Sequence, residues 1–132
     1  MLIMSITSYG QTIRFKVDSL KIYSLPWGMK TMLSLNDEDV RYMVNEPKTF
    51  SKIKTIDTLA LIEDFISIIE NAKIDTLKYS IDSRMVIDFY TGNSILTTFV
   101  ISANGYFNFN QCNYMRNSKV IKWINANVVK FE

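Results

Sequence analysis

The sequence predicts an α+β fold: an antiparallel sheet of four to six strands, ending in a β-meander, with one long helix and two short helices packed on it. Three observations carry this prediction. Leu59, Ile62, Phe65, Ile66, Ile69 and Ala72 recur at helical spacing. From residue 77 onward, runs of alternating apolar residues are separated by short turn segments, as in strands joined by hairpins. The chain has 132 residues, 48% of them hydrophobic, with four Gly and two Pro, so it has material for one core and no low-complexity tract.

Residues 1–11, MLIMSITSYGQ, read as the truncated tail of a signal peptide. An apolar run from Leu2 to Ile6 is followed by Ser8 and Gly10 as small residues before Gln11, which leaves a single domain over 12–132. The competing reading is a hairpin of Leu2–Thr7 against Thr12–Val17. No apolar run approaches the ~18 residues of a membrane-spanning helix.

Thr12–Tyr23 alternates, with a slip at Asp18-Ser19 that calls for a bulge or tight turn. Leu25-Pro26-Trp27-Gly28 breaks the strand, and Thr31–Leu35 reads as another short extended piece. Asn36 is a good helix cap, with Asp37, Glu38 and Asp39 in the first turn and Leu35 and Val40 spaced as a hydrophobic staple. Val40, Met43 and Val44 form its apolar stripe, and Glu46-Pro47 ends it. Thr49–Lys54 reads as an edge strand or extended linker.

The long helix is expected over about 57–73, with Glu63, Asp64, Ser67, Glu70 and Asn71 on its wet side. The meander follows as Leu77-Tyr79-Ile81, Met85-Ile87-Phe89, Ile95-Thr97-Phe99-Ile101 and Tyr106–Gln111, with turns between. Tyr79, Ile87, Phe89, Phe99 and Phe107 are expected to receive the long helix. Asn117-Ser118 caps a last helix that carries Val120, Ile121 and Ile124 inward. All helices are expected on one face of the sheet.

The chemistry is constrained by what is missing. The chain has no histidine, so a Ser-His-Asp or Cys-His site cannot be built. The single cysteine, Cys112, cannot form an internal disulfide and reads as a small buried residue. Ser51-Lys52-Ile53-Lys54 matches a Ser-x-x-Lys pattern without its companion motifs and reads as lysines on an edge strand. Gly28-Met29-Lys30-Thr31 lacks the upstream glycine of a phosphate loop. Asp37, Glu38 and Asp39 serve the helix cap, Glu63, Asp64 and Glu70 the wet face, and Asp82 and Asp88 read as solvated hairpin residues. A non-catalytic protein without metal or cofactor is therefore expected. The net charge of +2 is spread in small alternating bands, which predicts neither nucleic acid nor a membrane as partner.

Two features suit recognition. Leu25 and Trp27 lie in a Pro-Trp-Gly turn, and Trp is favoured at interface hot spots. Tyr106, Asn108, Asn110 and Tyr114, in YFNFNQCNY, offer amides and phenols that can bind protein backbone or sugars. The expected function is a small protein-binding domain of inhibitor, toxin-neutralising or envelope accessory type, periplasmic or secreted and otherwise cytoplasmic. The alternative is a small-ligand binder or minimal carboxylate-dependent enzyme with a pocket between helix and sheet.

Overall fold

Alternation in the sequence becomes eight strands among the residues that the computed structural model describes, which are 2–8, 11–45 and 52–130. Strands β1 (Leu2–Ser8) and β2 (Gln11–Val17) form an antiparallel hairpin in which Leu2 pairs with Val17 and Ser8 with Gln11. The slip at Asp18-Ser19 marks the passage to a second sheet. That sheet holds β3 (Ser19–Ser24), β4 (Lys52–Ile56), β5 (Ser83–Thr91), β6 (Ser94–Ser102), β7 (Phe107–Phe109) and β8 (Cys112–Tyr114). Its order is β4-β3-β5-β6-β7-β8, antiparallel throughout. Asp18 ties the two sheets together: its N–H donates to the Tyr90 carbonyl at 2.8 Å, and its Oδ2 accepts from the Gly92 N–H at 2.7 Å.

Three helices complete the fold: α1 (Asp37–Met43), α2 (Leu59–Glu70) and α3 (Ser118–Asn127). The α2 stripe buries Ile62, Phe65, Ile66 and Ile69 against Leu20, Ile22, Ile87, Phe89, Phe99 and Phe107 of the sheet. Phe65 is the hub of this layer. Its ring lies 4.2 Å from Trp123, 5.1 Å from Phe99 and 6.0 Å from Phe89, centroid to centroid. On α3, Val120, Ile121, Trp123 and Ile124 point inward, and the Trp123 indole donates to the Leu61 carbonyl at 3.1 Å. The Asn117 side chain accepts from the N–H groups of Lys119 and Val120, as its capping role requires.

Several expectations are corrected. The helices do not share one face. Tyr23, Leu25, Val86 and Val100 give the opposite face a second apolar patch, and α1 covers it with Val40, Val44 and Met43. β5 is consequently buried on both sides from Ser83 to Phe89. Leu77–Ile81 is not a strand: only Ile74 bridges to Tyr114, and Leu77 and Tyr79 are exposed instead of receiving α2. Thr31–Leu35 forms no strand either, and Leu59 at the start of α2 faces solvent. A register shift between Phe89 and Tyr90 turns Ile95 out and brings Leu96 onto the core. Tyr106–Gln111 is not continuous, because Asn110 and Gln111 adopt φ of 51° and 65° and fold the chain back into β8. Cys112, read as buried, is half-exposed at the start of β8. Thr49–Lys54 is partly seen as edge strand β4, while Glu46, Pro47 and Ser51 lie outside the described residues.

Two measurements check this architecture. Phe65→Ala leaves a cavity among three aromatic rings and should cost about 3–5 kcal/mol in a denaturant titration. A loss below about 1 kcal/mol would contradict the packing described. Removing residues 1–10 strips β1 from β2, and the melting temperature should fall clearly. Melting unchanged within about a degree would instead mark the segment as dispensable, as a cleaved signal requires.

Candidate functional site

The α1 side of the sheet carries the polar groups. In β5, Arg84, Val86 and Asp88 alternate onto this face, and the sequence read Asp88 as solvated. It is 0% exposed. Arg41 of α1 reaches down to it in a two-pronged pair, Nε to Oδ2 at 2.9 Å and Nη2 to Oδ1 at 2.6 Å. The Thr98 hydroxyl donates to the same Oδ1 at 2.8 Å. Arg41 Nη1 also meets Asp37 Oδ2 at 2.9 Å, one turn back on α1. The hydrogen bond to Asp88 raises the Arg41 pKa further above its ordinary value, outweighing the opposite pull of partial burial. A carboxylate held by three donors and shut from water anchors α1 to the sheet.

A second charged residue on this face organises the loop between β3 and α1. Arg84, buried at the start of β5, donates through Nε to the Met29 carbonyl at 3.2 Å and through Nη1 to Asp82 Oδ1 at 2.8 Å. The same Asp82 oxygen accepts from the Leu35 N–H at 2.8 Å, and the Ser83 N–H donates to the Leu35 carbonyl at 2.8 Å. Partial burial pushes the Asp82 carboxyl up, but the Leu35 N–H and the Arg84 guanidinium outweigh it and hold the pKa below its ordinary value. This tether is therefore complete above the ordinary carboxylate range and is lost as pH falls through the depressed value. Leu25 is buried beneath the loop, and Trp27 is half-buried against the main core. Neither offers the exposed anchor that the sequence suggested. The tip does: Met32 is 102% exposed and Leu33 is 79% exposed. The Thr31 hydroxyl donates to the Leu33 carbonyl at 2.6 Å and orders that tip.

A cleft of about 410 Å³ opens beside α1. Thr98, Val100 and Asn108 line it from the sheet, Asn36 and Asp37 from the start of α1, and Tyr79, Ser80 and Ile81 from the segment before β5. A second hollow of about 440 Å³ shares Tyr79 and Asn108 and extends to Lys78 and Gln111. Tyr106 packs near Tyr79, ring centroids 6.3 Å apart, but of the two only Tyr79 lines the cleft, beside Asn108. Desolvation, then the Asp75 carboxylate, push the Tyr79 phenol up to about 12, which keeps it a donor to Asp75 at neutral pH. The Asn108 amide donates to Asn113 Oδ1 at 2.9 Å. Asn110 sits in the β7–β8 turn and does not join them. Tyr114 lies on the other face, stacked on Phe107 at 4.8 Å, where burial pushes its phenol up.

Sequence reasoning missed Arg41, Arg84 and Asp88. Their signal was the placing of Arg84 and Asp88 on either side of apolar Val86, on a strand whose other face was already assigned to the core. Among the described residues no group of three His, Cys, Asp or Glu stands close enough to hold a metal ion, and no helix is long and apolar enough to cross a membrane. No protein-family model, curated protein or solved structure matches the chain.

The ion pair yields a test of the whole face. Asp88→Ala leaves Arg41 partly buried without its main partner and should cost about 3–5 kcal/mol in urea unfolding. Replacing both, Arg41→Met with Asp88→Leu, should restore most of that loss, because the penalty lies in the uncompensated charge. Equal losses in Asp88→Ala and the double variant would show that the penalty does not lie in the stranded Arg41 charge.

Proposed function

We propose that this chain is a non-catalytic domain that binds a protein partner through the loop between β3 and α1, with Met32 and Leu33 as its anchoring side chains. The observation that carries the reading is the near-complete exposure of two adjacent large apolar residues on a loop tied down at both ends. An ordered loop loses little entropy when it docks, so apolar burial at its tip goes into affinity. Methionine adapts its shape to a partner surface, and leucine supplies fixed volume beside it. The absence of histidine and the engagement of Asp88 by Arg41 and Thr98 support a non-catalytic role. The small-ligand or carboxylate-enzyme alternative has a cleft available, but of the cleft's carboxylates only Asp37 is at hand, and Arg41 already engages it.

The test compares the tagged chain with a Met32→Glu/Leu33→Glu variant, each expressed in the cells the protein comes from and cross-linked before purification. One protein should be recovered at near-equal stoichiometry with the unaltered chain and lost with the variant. In a titration with that protein, the loss should be about 2 kcal/mol or more, roughly thirtyfold in Kd. The melting temperature should not change, since neither side chain packs on the fold. Undiminished binding by the variant would move the interface elsewhere, and the lack of any stoichiometric partner would remove the proposal.

A further inference from the structure

We infer that the hollow bounded by Tyr79, Asn108 and Gln111 is a binding site for a neutral carbohydrate. The site is separate from the Met32–Leu33 loop and does not depend on it. A turn that breaks a local rule is the first observation. Asn110 and Gln111 form the two-residue loop between the paired Phe109 and Cys112, and both have left-handed φ, 51° and 65°. Hairpin turns of this kind favour asparagine at the first position and glycine at the second. Gln111 therefore holds a conformation that costs a glutamine energy and a glycine almost none. Backbone strain of this sort argues for a side chain that is present for what it contacts. Gln111 lines the hollow of about 440 Å³, and its amide makes no hydrogen bond with a described residue.

The other walls are fixed in place, yet part of their hydrogen-bonding capacity is unspent. The buried Asn113 amide is fully used: it donates to the carbonyls of Leu77 at 3.3 Å and Tyr79 at 2.9 Å, and its Oδ1 accepts from Asn108 Nδ2 at 2.9 Å. These bonds hold the 77–79 backbone and orient Asn108. The Asn108 Oδ1 and the Thr76 hydroxyl have no partner among the described residues. Amides that set a donor beside an acceptor suit hydroxyl groups, which both donate and accept. Ile74, Leu77 and Tyr79, all exposed, add apolar surface to the same walls. A sugar ring answers both features, with a C–H face for apolar and aromatic side chains and a rim of hydroxyls for the amides. Charge argues for a neutral ligand. Asp75 and Lys78 are the charged residues of these walls, one of each sign, so an anion would meet the first and a cation the second. Asp75 is also engaged, accepting from the Leu77 N–H at 3.0 Å and the Tyr79 hydroxyl at 2.9 Å. The volume lies within the range of about 300–1,000 Å³ usual for small-molecule sites.

The experiment titrates the full chain, isotopically labelled for NMR, with neutral disaccharides (cellobiose, maltose, lactose and N,N′-diacetylchitobiose) and with the charged sugars glucuronic acid and glucosamine. At least one neutral disaccharide should bind at millimolar concentration and shift the amide signals of residues 74–79 and 108–113. Gln111→Gly should weaken that sugar at least about tenfold. Its melting temperature should nevertheless hold or rise, because glycine relieves the turn while removing the amide. Lys78→Met and Met32→Glu/Leu33→Glu should leave sugar binding unchanged. Undiminished binding by Gln111→Gly would overturn the inference, as would a fall in its melting temperature, which would mark the glutamine as a part of the fold. A preference for glucuronic acid that Lys78→Met abolishes would make the hollow an anion site and overturn the choice of ligand. Failure of every sugar to shift residues 74–79 and 108–113 would remove the site altogether.

Discussion

A carboxylate at 0% exposure in the middle of a sheet has to be answered by a cation, and Asp88 is answered by Arg41. Much of the molecule's second face follows from that requirement. Arg41 can reach Asp88 only if α1 lies across β5, and α1 lies there only if the loop from Ser24 to Asn36 delivers it. The capping box at Asn36 and Asp39 starts the helix at the correct residue, and Val40 and Val44 seal the sides against Tyr23 and Val86. Arg84 and Asp82 hold the loop at its two ends. The pair therefore specifies a position more than it adds stability, since a buried ion pair returns little net energy over an apolar equivalent.

The two faces of the sheet are built on different principles. On the α2–α3 side, aromatic rings and β-branched residues interlock, and a single large residue, Phe65, touches three other rings. On the α1 side, one short helix covers only part of the surface, and amides, hydroxyls and ion pairs fill the rest. Close packing fills the interior of the first side, whereas partial cover on the second leaves a loop tip and a cleft. Both candidate contact surfaces lie on the side where cover is incomplete.

The elements legible in the sequence were those whose signal is local. The stripe of α2, the cap and acidic turn of α1, the Asn117 cap of α3 and the Thr91–Ser94 turn all depend on residues within a few positions. What escaped depends on distant ones. Alternation correctly placed Asp88 opposite the core-facing residues, but only the return of α1 from 47 positions away buries it. Tyr106–Gln111 read as one strand because no glycine marks the reversal; asparagine and glutamine take the left-handed conformation instead. Leu77, Tyr79 and Ile81 have a strand's alternation, and no strand among the described residues comes to pair with them. Leu25 and Trp27 follow a chain break and resemble a surface turn, but the loop folds them inward and puts Met32 and Leu33 outside, an inversion that no local pattern announces.

The neighbouring of β3 and β5 has a temporal consequence. Their pairing joins Ser19 to Tyr90 and Ser24 to Met85, with α1, β4 and α2 all intervening in the chain. During synthesis, β3 leaves the ribosome long before β5, and α1 presents Arg41 before Asp88 exists. The edge of β3 that meets β5 must therefore wait unpaired until the β5–β6 hairpin emerges and serves as the template on which both sides close. Such distant pairing slows folding, and it makes the first half of the nascent chain a natural client for chaperones.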